Sequence, residues 1–315
     1  MSRTNIDVIK ERVIETYGAI IGNSKPVRDV RRAVEILRSK YKLIVDDRIV
    51  ALTFAAFMNG RPVLFEGPPG TGKTEIGEAL LEIWSGKKPF ILPCSENYDE
   101  YKVIGDFHPI IALRKGFNEE SFIPRPLLAA LILDTGVLVD EIRRSNEDFQ
   151  NMLLDIADKR RIIVPELKRV FYSKGSGFQI IFTSNPEDIA QNDLSDAFLR
   201  RVVRIKFNYP PRSVEAEIIK IRSGDGPLIS DYLTKTLLDV INKLRRSGIT
   251  HKPGTAEAVL WARMAKSIAM FRGSDIVEVE DLLNAAQTVL AKRLEDEDII
   301  LDTIKEVLGV ESSNR

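Results

Sequence analysis

Cysteine is almost absent from this chain, and long apolar runs are lacking altogether. The single cysteine, Cys94, excludes an intrachain disulfide, which fits a reducing compartment. No apolar run approaches the ~20 residues that a membrane-spanning helix needs. The first residues also lack the apolar core of a secretory signal peptide. We therefore expect a soluble, cytoplasmic protein with no membrane contact.

A net charge of either sign is missing as well. Lysine and arginine together number 46, and so do aspartate and glutamate. Bulk charge therefore does not indicate a polyanion-binding protein, although a local basic surface stays open. The 315 residues, of which 44% are hydrophobic, are long enough for about two globular domains.

The chain does contain a glycine-rich motif between two segments of different character. Residues 62–66 indicate a short buried strand, and residues 75–84 have apolar positions at helical spacing. The segment between them fits G-x-x-x-x-G-K-[ST], the pattern of a phosphate-binding loop. The motif consists of Gly67, Pro68, Pro69, Gly70, Thr71, Gly72, Lys73 and Thr74.

The residue types of this motif suit a nucleoside triphosphate. Glycines let the backbone curl around an anion, because a Cβ would clash or forbid a positive φ. Amide groups at the start of the following helix point at phosphate oxygens. We expect Lys73 to neutralise the β- and γ-phosphates and the Thr74 hydroxyl to bind Mg²⁺. Kinases, GTPases, transporters and motors share such a loop, so other motifs must decide between them.

An acidic pair follows the next strongly apolar segment. Residues 136–142 form an apolar run that contains Asp140 and Glu141 at its end. The carboxyl end of such a strand faces the ligand in a doubly wound sheet. We expect Asp140 to hold Mg²⁺ and Glu141 to polarise the attacking water as a general base. A solvated acidic turn is the alternative, and the upstream phosphate-binding loop weighs against it.

Two further segments complete the catalytic hypothesis. The strand predicted over 178–184 leads into Asn185, which would hydrogen-bond the attacking water or the γ-phosphate. The alternative is a turn residue before a proline. The short helix predicted over 194–201 ends in Arg200 and Arg201. The helix dipole favours arginines at that end, or one of them neutralises the γ-phosphate bound to a neighbouring subunit.

The pattern of the chain changes at Tyr209-Pro210-Pro211. Strand-like and helix-like segments alternate before this point, and only helical patterns follow it. Those helices are predicted at about 212–222, 230–247, 255–272, 279–293 and 298–308.

We therefore predict an α/β protein in three parts. A helical extension covers 1–42, a nucleotide-binding core covers 43–210, and a small all-helical domain covers 211–315. Within the core we expect an inserted loop or hairpin near 103–123 and a β-hairpin at 161–172.

Together these motifs resemble the AAA+ ATPases, and within them the MoxR family, over roughly 43–293. The most specific segments are 67–74, 138–144, 183–186 and 196–201. The Asp-Ala-x-x-Arg-Arg pattern, with Asn-Tyr-Pro after the next strand, is most similar to the CoxD/CbbQ-like branch. That branch includes accessory ATPases for metalloenzymes and carbon-fixation enzymes.

The resemblance implies a P-loop αβα core with a five-stranded parallel sheet, followed by a helical lid. It implies ATP and Mg²⁺ as cofactors, with Glu75 beside the phosphate-binding loop and the adenine near Ile44 and Val45. It also implies a homo-oligomeric ring, usually a hexamer, in which Arg201 or Arg200 acts across the subunit interface. A partner carrying a von Willebrand A domain and a protein client complete the expectation.

The chain departs from the family at the third helix of the lid. The family usually has an arginine there, in a Ser-Pro-Arg-Ala type of motif. This chain has Lys252-Pro253-Gly254-Thr255-Ala256, so that Gly254 occupies the arginine position. Lys252 and Arg263 are candidate substitutes, although a flexible ammonium is not equivalent to a planar guanidinium.

Three functions stay open at this point. The leading one is a ring ATPase that remodels or activates a protein client, with metalloenzyme maturation as one such role. The second is a nucleic-acid motor. Near the predicted hairpin, charge is supplied by the basic segment 159–161, Lys168, Arg169 and Lys174, and stacking groups are supplied by Phe171 and Tyr172. The third is a nucleotide-dependent binding switch with little turnover, which the missing arginine keeps open.

Overall fold

The computed structural model describes residues 6–186 and 192–308, and these residues separate into two compact units. The first unit takes the described residues within Met1–Tyr41, Val45–Gly67 and Lys73–Phe207. The second unit takes those within Lys42–Ile44, Pro68–Gly72 and Asn208–Arg315.

The strands of the described chain all belong to the first unit. In chain order they are β1 (Val63–Glu66), β2 (Phe90–Pro93), β3 (Gly105–Phe107), β4 (Phe122–Pro124), β5 (Val137–Asp140), β6 (Arg161–Val164), β7 (Arg169–Tyr172), β8 (Ile180–Ser184) and β9 (Val203–Lys206).

A five-stranded parallel sheet forms the centre of the first unit, in the order β2-β5-β8-β1-β9. Val63 of β1 lies opposite Ile181 on one side and Val203 on the other. Strands β1 and β8 are buried along their whole length, as the continuous apolar runs of a parallel sheet require. The predicted five-stranded parallel sheet is confirmed.

The first unit also contains α-helices. In chain order they are α1 (Ile6–Tyr17), α2 (Val30–Ser39), α3 (Asp47–Met58), α4 (Lys73–Ser85), α5 (Glu100–Val103), α6 (Pro109–Lys115), α7 (Pro126–Leu133), α8 (Glu147–Lys159) and α9 (Asp196–Leu199). Helix α4 contacts β1, β5 and β8. It approaches so closely that a Cβ at Gly77 would lie 2.8 Å from Cδ1 of Leu138.

Two antiparallel strand pairs lie outside the parallel sheet. Strands β6 and β7 form a hairpin in which Arg161 faces Tyr172. Strands β3 and β4 pair with α6 between them, so the segment expected as a loop or hairpin contains a helix that the sequence analysis missed. Pro109 is tolerated in the first turn of α6, and Gly116 ends this helix with a φ of 83°.

Side chains of the N-terminal helix α1 form hydrogen bonds with the backbone around β4. Arg12 donates to the backbone carbonyls of Glu120 and Phe122, and the Tyr17 hydroxyl donates to the carbonyl of Pro124. Helix α2 begins after Asp29, whose side chain caps the helix by accepting from the amide of Arg32.

The second unit consists of helices around their own apolar core. They are α10 (Arg212–Arg222), α11 (Asp231–Arg246), α12 (Thr255–Phe271), α13 (Val279–Leu290) and α14 (Glu297–Leu308). Trp261 lies fully buried in this core, and its indole N–H donates to the carbonyl of Leu282 at 2.8 Å. The predicted C-terminal helical region is confirmed.

Helices that could cross a membrane are not found in the described part of the chain. None of them combines the necessary length with sufficient apolar character.

Candidate active site

The phosphate-binding loop begins directly after β1. The amide of Gly67 donates to the Ser184 carbonyl at 3.2 Å, and a Cβ at this position would overlap the Phe207 carbonyl oxygen. Only glycine therefore fits where the loop leaves the sheet between β8 and β9. Lys73 begins α4, and its Nζ donates to the Gly67 carbonyl at 2.8 Å. The lysine side chain is thus buried against the loop in which a phosphate would bind.

One carboxylate oxygen of Asp140 joins three secondary-structure elements. The Thr74 hydroxyl, in the first turn of α4, donates to Asp140 Oδ1 at 2.8 Å. The Thr183 hydroxyl, on β8, donates to the same oxygen at 2.6 Å. Thr183 also accepts the backbone amide of Glu141 at 2.9 Å. The phosphate-binding loop, the acidic pair and the strand before Asn185 therefore converge.

Glu141 has an unusual backbone conformation. Its φ of 56° and ψ of 53° lie in the left-handed region, which non-glycine residues seldom adopt. Such conformations persist where the surroundings hold them, and they cluster at functional sites. The Thr183 hydroxyl supplies that support here, and Arg144 pairs with the Glu141 carboxylate at 2.6 Å.

An ion-pair network around the buried Glu66 carboxylate lies beside this cluster, and the sequence analysis missed it. Arg143 donates to the Ser184 hydroxyl at 2.7 Å and pairs with Glu66 at 3.2 Å and with Asp193 at 3.2 Å. The Glu66 side chain is 3% exposed and also pairs with Arg204. The network ties the ends of β1 and β8 together. A charged residue closing an otherwise apolar strand, as Glu66 does, was the available signal.

The oxygen atoms around Asp140 fit a magnesium ion. Mg²⁺ binds through one or two carboxylates, substrate phosphates and water, and it prefers oxygen ligands. Asp140 and Thr74 supply a carboxylate and a hydroxyl whose oxygens lie 2.8 Å apart. Both predicted metal ligands are thus adjacent in the structure.

Cys94 lies next to this carboxylate but is chemically inert. Its amide donates to the Asp140 carbonyl at 2.9 Å. Burial, reinforced by the Asp140 and Glu141 carboxylates, raises the pKa of the Cys94 thiol to about 12. The thiolate that reacts with electrophiles and metals is therefore scarce at neutral pH.

Other predicted site residues lie at defined places in the same unit or beside it. Asn185 follows β8 directly and is half-buried, and Glu75 is exposed in the first turn of α4. Arg200 is exposed at the end of α9, and Arg201 lies 3.8 Å from Asp158 of α8. The positions predicted for adenine contact, Ile44 and Val45, are both half-buried before α3. Their roles stay predictions.

The position of the family arginine is the N-cap of α12. Gly254 occupies it, and Lys252 is exposed just before it. Arg263 lies more than two turns further along the helix and donates to the Arg222 carbonyl at 2.7 Å. Its guanidinium is therefore engaged at the C-terminal end of α10.

The basic residues near the hairpin are largely engaged within the chain. Arg160 donates to the carbonyls of Phe178 and Gly175, and Arg169 pairs with Glu119 at 3.0 Å. Phe171 is buried, whereas Tyr172 is 60% exposed. Only some of the charged and aromatic side chains that a nucleic-acid motor would need are therefore available to contact nucleic acid.

Comparison with known proteins agrees with this arrangement. Residues 62–202 match the family described as the AAA domain of the dynein-related subfamily. The gas vesicle ATPase GvpN of Ancylobacter aquaticus is 28% identical over 71% of this chain and 65% of its own length. Protein CbbQ of Hydrogenophilus thermoluteolus is 27% identical over 62% of this chain and 71% of its own length. Protein NorQ of Paracoccus denitrificans is 28% identical over 56% of this chain and 63% of its own length.

These matches bear on the family of the chain. The match with GvpN covers slightly less than two thirds of the length of that protein. The matched AAA domain contains both the phosphate-binding loop and the acidic pair. The chain therefore carries a matched AAA domain over 62–202, and its parallel sheet, its helical second unit and relatives that include GvpN, CbbQ and NorQ agree with a resemblance to the AAA+ ATPases of the MoxR family.

Proposed function

We propose that this chain hydrolyses MgATP in a homo-oligomeric ring and uses the cycle to remodel or activate a protein client. The observation that carries the proposal is the shared oxygen of Asp140, which accepts from Thr74 at 2.8 Å and from Thr183 at 2.6 Å. The alternative, a solvated acidic turn, would not explain the hydrogen bonds from the phosphate-binding loop and from the neighbouring strand.

The phosphates would be held by the loop Gly67–Thr74. Its backbone amides and the start of α4 favour an anion. Lys73 is 8% exposed, and a triphosphate in the loop would give its ammonium charge-assisted hydrogen bonds. Thr74 and Asp140 would hold Mg²⁺, which when bound neutralises charge on the β- and γ-phosphates.

Glu141 would act as the general base and Asn185 would orient the water. The left-handed backbone at Glu141 turns the chain sharply at the end of β5, immediately after Asp140. Its amide is fixed by Thr183, only two residues from Asn185. Glu141 could then accept the proton of the attacking water, which general-base catalysis requires within hydrogen-bonding reach.

A neighbouring subunit would complete the site with an arginine. Arg200 and Arg201 are both exposed, and the 3.8 Å contact of Arg201 with Asp158 is a weak restraint. An arginine that reaches a γ-phosphate from a second subunit accelerates hydrolysis by about 10³–10⁵ where this has been measured. The ring, which the family implies as a hexamer, would bring one of these arginines to each site.

The client and a partner with a von Willebrand A domain are the finer part of the proposal. The resemblance to the MoxR family supports them, and the named relatives include one gas vesicle ATPase. Stimulation of ATPase activity by a purified protein carrying that domain tests this part. An unchanged rate at saturating partner would count against it.

The central experiment measures the ATPase rate per subunit over a wide range of protein concentration, with Mg²⁺. We expect the specific rate to rise steeply and then saturate, because neighbours complete the site. A mixture of Glu141→Gln and Arg201→Ala chains, each inactive alone, should partly recover activity. Recovery with Arg200→Ala instead would assign the role to that residue.

Other results of the ATPase measurements would contradict the ring or favour one of the two alternative functions. A specific rate that is independent of concentration would contradict the ring. Nucleotide binding without turnover at any concentration would favour the binding switch. Strong stimulation by DNA would favour the nucleic-acid motor.

A further inference from the structure

The tip of the phosphate-binding loop, Pro68–Gly72, clusters with the helical unit. Its neighbour in that unit is the N-terminal end of α12. The amide of Ala256 donates to the Gly70 carbonyl at 3.0 Å. The Glu257 carboxylate lies so close that a Cβ on Gly70 would be 2.8 Å from its Oε2.

Gly254 faces this loop tip, and no other residue fits there. A Cβ at Gly254 would lie 2.7 Å from the Pro69 carbonyl oxygen and 2.8 Å from the Gly70 Cα. Both obstacles are backbone atoms, so no side-chain rotation could relieve the clash. The backbone of Gly254 has φ −85° and ψ −176°, an extended conformation that any residue adopts. Lack of space, and not backbone conformation, therefore explains the glycine.

The segment that carries Gly254 is firmly held. Glu257 accepts the Gly254 amide at 2.9 Å, and Arg245 donates to the Pro253 carbonyl at 2.8 Å. Arg245 also forms a two-pronged ion pair with Glu215, in which the side chains are only 7% and 1% exposed. A buried pair of this geometry fixes the chain around it. The loop tip consequently rests on a rigid surface.

We propose that Gly254 is a positioning residue of the phosphate-binding loop. Without a side chain at this position, the start of α12 approaches the loop tip directly and holds Gly70 through the Ala256 amide. The start of α12 would thus support nucleotide binding through backbone packing against the loop tip, at the position where the family has an arginine. This inference rests on the proposed function, because the loop must bind a nucleotide.

Gly254→Ala tests the inference, with Gly248→Ala as the matched control. Gly248 belongs to the same unit, and a Cβ there would meet nothing within 4 Å. We would measure the affinity for a fluorescent, non-hydrolysable ATP analogue with Mg²⁺, together with the thermal unfolding midpoint. We expect Gly254→Ala to weaken binding by about tenfold or more, as overpacking against backbone does, while Gly248→Ala stays at the wild-type affinity.

Gly254→Arg separates this inference from a simple loss of the family arginine. If the site merely lacked an arginine, restoring it would preserve or tighten nucleotide binding. We expect binding to weaken at least as much as in Gly254→Ala, because the longer side chain must also displace the loop tip. Tighter binding by Gly254→Arg would overturn the inference.

A purely structural role of Gly254 would give a different pattern. It would lower the unfolding midpoint and leave the nucleotide affinity of the folded protein unchanged, which would also overturn the inference. Should Gly254→Ala not fold, Glu257→Ala serves instead, since it removes the acceptor of the Gly254 amide without adding bulk. We expect it to weaken binding by about two- to tenfold, the effect of one hydrogen bond.

The proposed function and this inference fail in distinguishable ways. A wild-type chain that binds no MgATP would refute the proposed function. A wild-type chain that binds MgATP, with Gly254→Ala and Glu257→Ala binding equally well, would refute only the positioning role.

Discussion

The Nε of Arg144 lies 2.6 Å from Oε2 of Glu141, the carboxylate that we assign as the general base. The two side chains are 50% and 42% exposed. An ion pair in such contact with water contributes at most about 1 kcal/mol. The carboxylate can therefore leave the arginine at little cost when a water approaches.

Arg144→Ala should raise kcat by no more than about fivefold, because only this weak pairing has to be broken. Steady-state ATPase measurements at saturating MgATP check the value, with Arg144→Lys as the variant that keeps the charge. A loss of activity in Arg144→Ala would instead place this arginine in the catalytic machinery.

Thr183→Val should lower kcat by about tenfold or more. The substitution keeps the shape of the side chain but removes the hydroxyl that bonds Asp140 and the amide of Glu141. Two polar groups next to the reacting atoms would then lose a partner, at about 1–3 kcal/mol each. Thr183→Ser retains the hydroxyl and should stay near the wild-type rate. Equal rates in the two variants would exclude the positioning role of Thr183.

Arg143→Ala should destabilise the first unit by about 1–3 kcal/mol, because the buried Glu66 carboxylate loses one of its two charged partners. Arg204 pairs with the same carboxylate but is 44% exposed, so Arg204→Ala should cost less. Urea unfolding monitored by circular dichroism measures both. Equal losses would show that burial of the arginine does not matter.

Stability should fall above about pH 9 in a way that depends on Cys94. Burial raises the pKa of this thiol from 9.0 to about 12. Below pH 9 the thiol is protonated in both the folded and the unfolded chain, so its contribution is fully present. Between pH 9 and 12 the unfolded chain loses the proton first, and the folded state is progressively disfavoured.

Cys94→Ala should remove this part of the pH dependence. Urea unfolding at pH 8 and pH 10 compares the two proteins, and the wild type should lose more stability over that interval. Identical losses would mean that the thiol is not shielded from water in the folded chain. The native protein should also react slowly with thiol reagents at pH 8, since little thiolate is present.

Local sequence patterns were enough to predict those features whose residues are consecutive in the chain. Gly67–Thr74 is recognisable because phosphate binding needs glycines, a lysine and a hydroxyl at fixed spacing. The helices of the second unit follow from apolar periodicity, and α10 and α12 begin where the pattern places them. Helix α6 was not predicted, because the proline and the glycine at its two ends suggested a loop.

The sequence by itself determined the resemblance to the AAA+ ATPases, the parallel sheet and the candidate residues, because these depend on local chemistry and on the period of apolar residues. Only the tertiary structure decided which of them meet. Strand β8 lies between β5 and β1, which brings Thr183 to Asp140 and Ser184 to Arg143. Likewise, position 254 must be glycine because the backbone of Pro69 and Gly70, nearly two hundred residues away in sequence, leaves no room for a side chain. No local sequence pattern records this constraint.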